Sequence, residues 1–136
     1  MDRPAHPIKP LGTLVEPILA RLRAVCLDFP GAEEKLAWGE PTFRAGKMFA
    51  QFDNNHHNSG HVAVWVKAPP GAQDVLVGAN PRRFFIPPYQ GPAGWIGIRL
   101  DDDEVDWDEV AGIVEDGYRM VASKKRLAEL DGRRGS

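Results

Sequence analysis

Apolar residues recur at helical spacing through Leu11, Leu14, Val15, Ile18, Leu22, Val25 and Phe29. One stripe of that period predicts an amphipathic first helix with a single buried face. Pro30-Gly31 closes it. Its start has two readings. Thr13 with Glu16 fits a capping box, but Pro17 then forfeits a backbone hydrogen bond. Alternatively, Glu16 precedes a helix that opens on Pro17.

The period then changes to two. Thr42 to Arg44 and Lys47 to Phe52 are short β-type runs, and Ala45-Gly46 between them reads as a hairpin turn. Asn54 to Gly60 is a polar loop. His61 to Lys67 alternates, with Val62, Val64 and Val66 on one face and Ala63 and Trp65 on the other. Beyond Pro69-Pro70-Gly71, Ala72 to Val77 predicts a short helix closed by Gly78. Arg83 to Ile86 reads as a strand stopped by Pro87-Pro88. Trp95 to Leu100 alternates again, with Ile96, Ile98 and Leu100 opposed to Trp95, Gly97 and Arg99.

The next helix has the clearest start in the chain. Asp106 is its N-cap, Glu109 completes a capping box, and Val105 with Val110 forms a hydrophobic staple. Trp107, Val110, Val114, Tyr118 and Val121 make its core stripe. A short helix around Leu127 and Leu130 and a basic tail finish the chain. This order predicts an α+β domain: a single antiparallel sheet of about five strands, with N- and C-terminal helices packed on one face. Too few helices lie between strands for a doubly wound parallel sheet. The expected boundaries are a loose tail over 1–10, one domain over 11–131 and a basic tail over 132–136.

Composition agrees with one core: 136 residues, 43% hydrophobic, with four tryptophans and six phenylalanines. No apolar run approaches the roughly 20 residues of a membrane helix. Met1 to Pro7 lacks a signal-peptide pattern, so the expected location is cytoplasmic, with no membrane partner. Cys26 is the single cysteine, which excludes an internal disulfide and a several-cysteine zinc site. Its neighbours Leu22 and Val25 make it a small buried hydrophobe rather than a nucleophile.

A net charge of −2 argues against indiscriminate coating of nucleic acid. The charge is uneven, however. Residues 101–116 carry nine acids and no Lys or Arg, whereas residues 1–100 carry eleven Lys or Arg against eight acids. A locally basic face is compatible with that distribution.

No phosphate loop, dinucleotide fingerprint, HExxH or GxSxG elbow is present, which weighs against an enzyme without closing the case. His56, His57 and His61 are the metal candidates, set against the blander reading of a solvated hairpin loop. Asp101 to Glu104 lacks EF-hand spacing, and Glu33, Glu34 and Glu40 default to surface carboxylates. No cofactor is implied. The more informative feature is an interleaving of aromatic and basic residues: Trp38, Arg44, Lys47, Lys67, Arg82, Arg83, Tyr89 and Arg99. Aromatic faces can stack on bases, and Arg or Lys can neutralise phosphates. The bland alternative makes Trp65, Trp95 and Trp107 core residues and leaves Trp38 and Tyr89, beside Gly and Pro, as the surface aromatics.

Several segments in order are similar to the MmcQ/YjbR family of small bacterial proteins. They are WGEPTFRAGKMFAQF from Trp38, VAVWVKAPPG from Val62, NPRRFFIPPYQGPAGWIGIRL from Asn80, VDWDEV from Val105 and GYRMVA from Gly117. LDFPG at Leu27 fits the end of that family's first helix. The resemblance spans about Leu14 to Leu130. It implies a CyaY/frataxin-like fold and a domain commonly described as double-wing DNA-binding, with no agreed reaction. The leading expectation is therefore a binding domain for DNA, with Arg44, Lys47, Lys67, Arg82, Arg83 and Arg99 on phosphates and Trp38 and Tyr89 on bases. The rivals are a pocket protein or cryptic enzyme for a small anionic ligand, with Trp38, Arg44, Tyr89 and Arg99 around it, and a protein-interaction module using exposed aromatics and the acidic segment. The oligomeric state is left open.

Overall fold

The structure, a computed structural model, describes residues 12–54, 61–102 and 104–135. The elements run α1 (Gly12–Leu27), β1 (Glu33–Ala37), β2 (Glu40–Ala45), β3 (Lys47–Asn54), β4 (Val62–Val66), α2 (Ala72–Ala79), β5 (Phe84–Phe85), β6 (Ile96–Arg99), α3 (Trp107–Val121) and α4 (Lys124–Arg134). One antiparallel sheet of six strands has the order β1-β2-β3-β4-β6-β5. The α+β class and the single antiparallel sheet are as the alternation predicted.

The differences from the sequence reading have local causes. β1 adds a strand that the pattern did not show. It is held by pairing with β2 through the two-residue turn Trp38-Gly39. Both turn residues have positive φ, 53° and 79°, as a type I′ hairpin requires. α1 begins at Gly12, so Pro17 lies inside it rather than at its first turn. α2 runs through Gly78 to Ala79, and α4 continues to Arg134, through residues read as a tail.

The pleat divides the sheet cleanly. Phe43, Ala50, Phe52, Val64, Val66, Ile96, Ile98 and Phe84 face the core against Val15, Leu19, Leu22, Cys26, Val110, Val114 and Tyr118 of α1 and α3. A register shift between Phe43 and Arg44 inserts one extra residue in β3. That bulge lets Phe49 and Ala50 both turn inward, and Phe49 meets Tyr118 edge-on at 5.6 Å. Asp106 caps α3 as its sequence predicted, accepting from the Asp108 and Glu109 amides. Cys26 is fully buried, and burial pushes its thiol pKa far up, so it is an inert core residue. No helix among the described residues is long and apolar enough to cross a membrane.

Candidate functional site

The face of the sheet turned away from α1 and α3, here the outer face, carries the chemistry. Strand alternation and register put Glu33 and Lys35 of β1, Glu40, Thr42 and Arg44 of β2, Gln51 and Asp53 of β3, and Ala63 and Trp65 of β4 there. Gly97 and Arg99 of β6 and Phe85 of β5 complete it. Lys67 continues β4 past its last paired residue, its amide donating to the Phe49 carbonyl, and shares the parity of Trp65.

This face has three zones. Its middle is a buried polar row. Glu40, Thr42, Gln51 and Asp53 are each at most 3% exposed, which is costly unless their polar atoms are satisfied. Glu40, Thr42 and Asp53 find partners close by. Glu40 Oε2 accepts the Asn54 amide at 2.8 Å, and Thr42 Oγ1 donates to the Lys35 carbonyl at 2.6 Å. Trp65 Nε1 donates to Asp53 Oδ2 at 3.1 Å, and His61 Nε2 lies 2.9 Å from the same oxygen.

At one end lie Arg44 and Lys67, half-buried, with Lys35 exposed on β1; Lys47, exposed at the start of β3, is paired with Ala45 and so has the opposite parity to Arg44. Arg44 and Lys67 flank β3, two strand spacings or about 10 Å apart. Among the described residues none of these four cations lies within ion-pair distance of a carboxylate. Arg44 Nε makes only a long bond, 3.3 Å, to Thr42 Oγ1. Lys35 escaped the sequence reading because β1 did.

At the other end Arg99 and Arg83 are committed. Arg99 donates to the carbonyls of Pro81 and Arg82 and lies 4.9 Å from the centre of the Phe85 ring. Phe85 lies over Gly97, where any Cβ would come within 2.3 Å of its ring, and packs against the His61 ring at 4.5 Å with the two planes tilted by 47°. Arg83 donates to Glu109 Oε1 at 3.2 Å and to the Glu104 carbonyl at 2.8 Å. Arg82 is exposed nearby, and a small cavity of about 60 Å³ beside both arginines is lined by Asp102 and Glu104 as well. Those acids make it a poor anion site.

Trp38 and Tyr89 are 62% and 73% exposed and are the two non-glycine residues with positive φ among those described, at 53° and 66°. Trp65 and Trp95 are buried, Trp65 on the outer face, and Trp107 is half-buried beneath the Arg21 guanidinium. His56 and His57 lie outside the described residues. Among the described residues no group of three His, Cys, Asp or Glu side chains is placed to hold a metal ion.

Comparison with known proteins follows the fold. A family model described as YjbR matches residues 27–120, well over half of the chain. No curated protein matches. Among solved structures, the crystal structure of Deinococcus radiodurans protein DR2400, with a DUF419 domain, is similar with a TM-score of 0.66 at 20% identity. The match covers 83% of this chain and 87% of that one, and at that identity it speaks for the fold alone.

Proposed function

The chain belongs to the YjbR family, and on that premise we propose that it is a nucleic-acid-binding domain, with DNA as partner, that grips phosphates at the Arg44–Lys67 end of the outer face. One observation carries this reading. The sheet register gathers Lys35, Arg44 and Lys67, with Lys47 exposed at the adjoining end of β3, where none is paired with a described carboxylate. Cations held on a rigid sheet and left without carboxylate partners can exchange their counterions for phosphates. Glu33 opposite Arg44 is the one acid on that part of the outer face.

Arg82, Arg83 and Arg99 contribute less in this reading, because the latter two already serve carbonyls and a carboxylate inside the protein. Trp38 sits at the far end of β2 from Arg44, six residues or about 20 Å away. Base stacking there would engage a nucleotide several positions from the phosphates held at Arg44. The small-anion alternative is weaker, since Arg44 and Arg99 stand three strand spacings apart, about 14 Å, at opposite ends of the strands.

The test is fluorescence anisotropy of a labelled DNA duplex across a salt series. Four phosphate contacts give a slope of log affinity against log salt of roughly −3 to −4. Absence of binding at low salt, or binding with no slope, overturns the reading.

A further inference from the structure

We propose that α4 is a charge-latched strap: a helix clasped to the end of α3 by two ion pairs around one buried leucine, which lifts away as a unit in high salt or acid while the sheet stays folded. It begins at Lys124, beyond the YjbR match over residues 27–120.

The attachment is narrow. Leu130 is the one buried side chain of α4, with Leu127 partly buried beside it. The rest is charge. Arg119 of α3 is the hub: its Nε donates to Glu115 Oε2 at 2.8 Å, and its Nη2 donates across to Asp131 Oδ1 of α4 at 2.7 Å. Arg134 of α4 reaches back to Glu115 Oε1 at 2.6 Å. Arg133 donates to the Asp28 carbonyl at 2.7 Å, and Arg126 lies over Gly31, where a Cβ would come within 2.5 Å of its Nε. Arg126 pairs with Glu129 on its own helix, so that pair adds nothing to docking.

Solvent reaches the latch. The Asp131 and Arg134 side chains are 61% and 53% exposed, so salt screens both inter-helix pairs. Acid acts on the same groups. Burial works to raise Glu115, but hydrogen bonds from Arg119 and Arg134 outweigh it and hold the carboxyl below its ordinary value of 4.5. The Arg119 hydrogen bond holds Asp131 below 3.8. A carboxyl whose folded pKa is lowered stabilises docking fully above the ordinary value and ceases to as pH falls through the lowered one. Below that, Arg119 and Arg134 face each other without the carboxylates between them. An undocked helix of eleven residues is marginal in water, so release appears as local unfolding.

Hydrogen exchange on the full chain reads this directly, with rates corrected for intrinsic exchange. Moving from low salt to 1 M NaCl at neutral pH is expected to speed exchange over Lys124–Arg134 by roughly twofold to thirtyfold. Stepwise acidification through the lowered carboxyl values is expected to do the same, with β3 and β4 amides unmoved in both. Arg119→Gln, which leaves the Arg134–Glu115 pair in place, is expected to speed exchange already at neutral pH and low salt and to shrink both responses, and Arg119→Gln combined with Arg134→Gln is expected to abolish them. Leu130→Ala is expected to speed α4 exchange yet keep both responses, since it spares the charges. Exchange of α4 in step with β3 and β4 under every condition overturns the proposal, as does a variant carrying both Arg119→Gln and Arg134→Gln that keeps its salt and acid responses.

Discussion

Gly117 of α3 passes so close to Lys67 that a Cβ at residue 117 would lie 2.4 Å from the Lys67 carbonyl oxygen and 2.9 Å from Val66 Cγ1. The first obstacle is backbone, so it cannot swing aside as a side chain would. The helix is thereby seated on the strand that carries one of the proposed phosphate contacts. Gly117→Ala gains helix propensity of up to about 1 kcal/mol but forces the helix off the sheet, at about 1–3 kcal/mol. The expected net effect is destabilisation, read as a lower urea midpoint. Gly112→Ala on the same helix meets nothing within 4 Å and is expected to stabilise by about 0.5–1 kcal/mol. Opposite signs for two identical changes in one helix separate close approach from propensity.

Tyr118 ties α3 to the loop after α1. Its ring is fully buried, stacked on Phe29 at 4.7 Å, and its hydroxyl donates to the Pro30 carbonyl at 2.6 Å. Tyr118→Phe keeps the packing and removes the only donor that the loop's carbonyl finds in that side chain. The expected loss is about 1–2 kcal/mol, as a fall in urea midpoint at unchanged m-value.

Trp38 presents the reverse situation. It is largely exposed, yet it holds φ at 53° in a type I′ turn whose favoured residue at that position is Asn. Trp38→Asn is therefore expected to raise stability by about 1 kcal/mol in urea denaturation. If DNA affinity falls in the same variant, the aromatic ring is retained there for binding at a cost in stability. If affinity holds, Trp38 is no contact.

Sequence reading succeeded where period fixes a face. Val62, Val64 and Val66 point inward, Val64 between Phe52 and Ile98, because alternation leaves no other choice for a paired strand. It missed β1 because Glu33-Glu34-Lys35-Leu36-Ala37 has helix-forming residues and no alternation; its strand state comes from pairing with β2 at the sheet edge. It also took Glu40 for a surface carboxylate, although it is 3% exposed and accepts a backbone amide fourteen residues away. Nothing local announces such a partner. The same holds for Arg83, whose carboxylate Glu109 is 26 residues further along the chain. Composition can nominate a cation for a surface, but only the fold shows whether its charge is already used.

That distinction gives the last prediction. Arg44 and Arg83 are both arginines nominated by sequence, but their surroundings differ. Arg44 lies on the outer face with a single long bond to Thr42 and no carboxylate, whereas the Arg83 side chain is 15% exposed and bound to Glu109 and Glu104. Arg44→Ala is expected to weaken DNA binding and to reduce the magnitude of the salt slope by about 0.9, with little change in stability. Lys35→Ala and Lys67→Ala are expected to do the same. Arg83→Ala is expected to leave the slope intact and to lower stability instead, by about 1 kcal/mol, because it strips a guanidinium from the junction between β5 and the start of α3. Anisotropy salt series paired with urea denaturation for each variant read both quantities. An Arg83 variant that loses slope, beside an Arg44 variant that does not, would move the interface to the opposite end of the sheet.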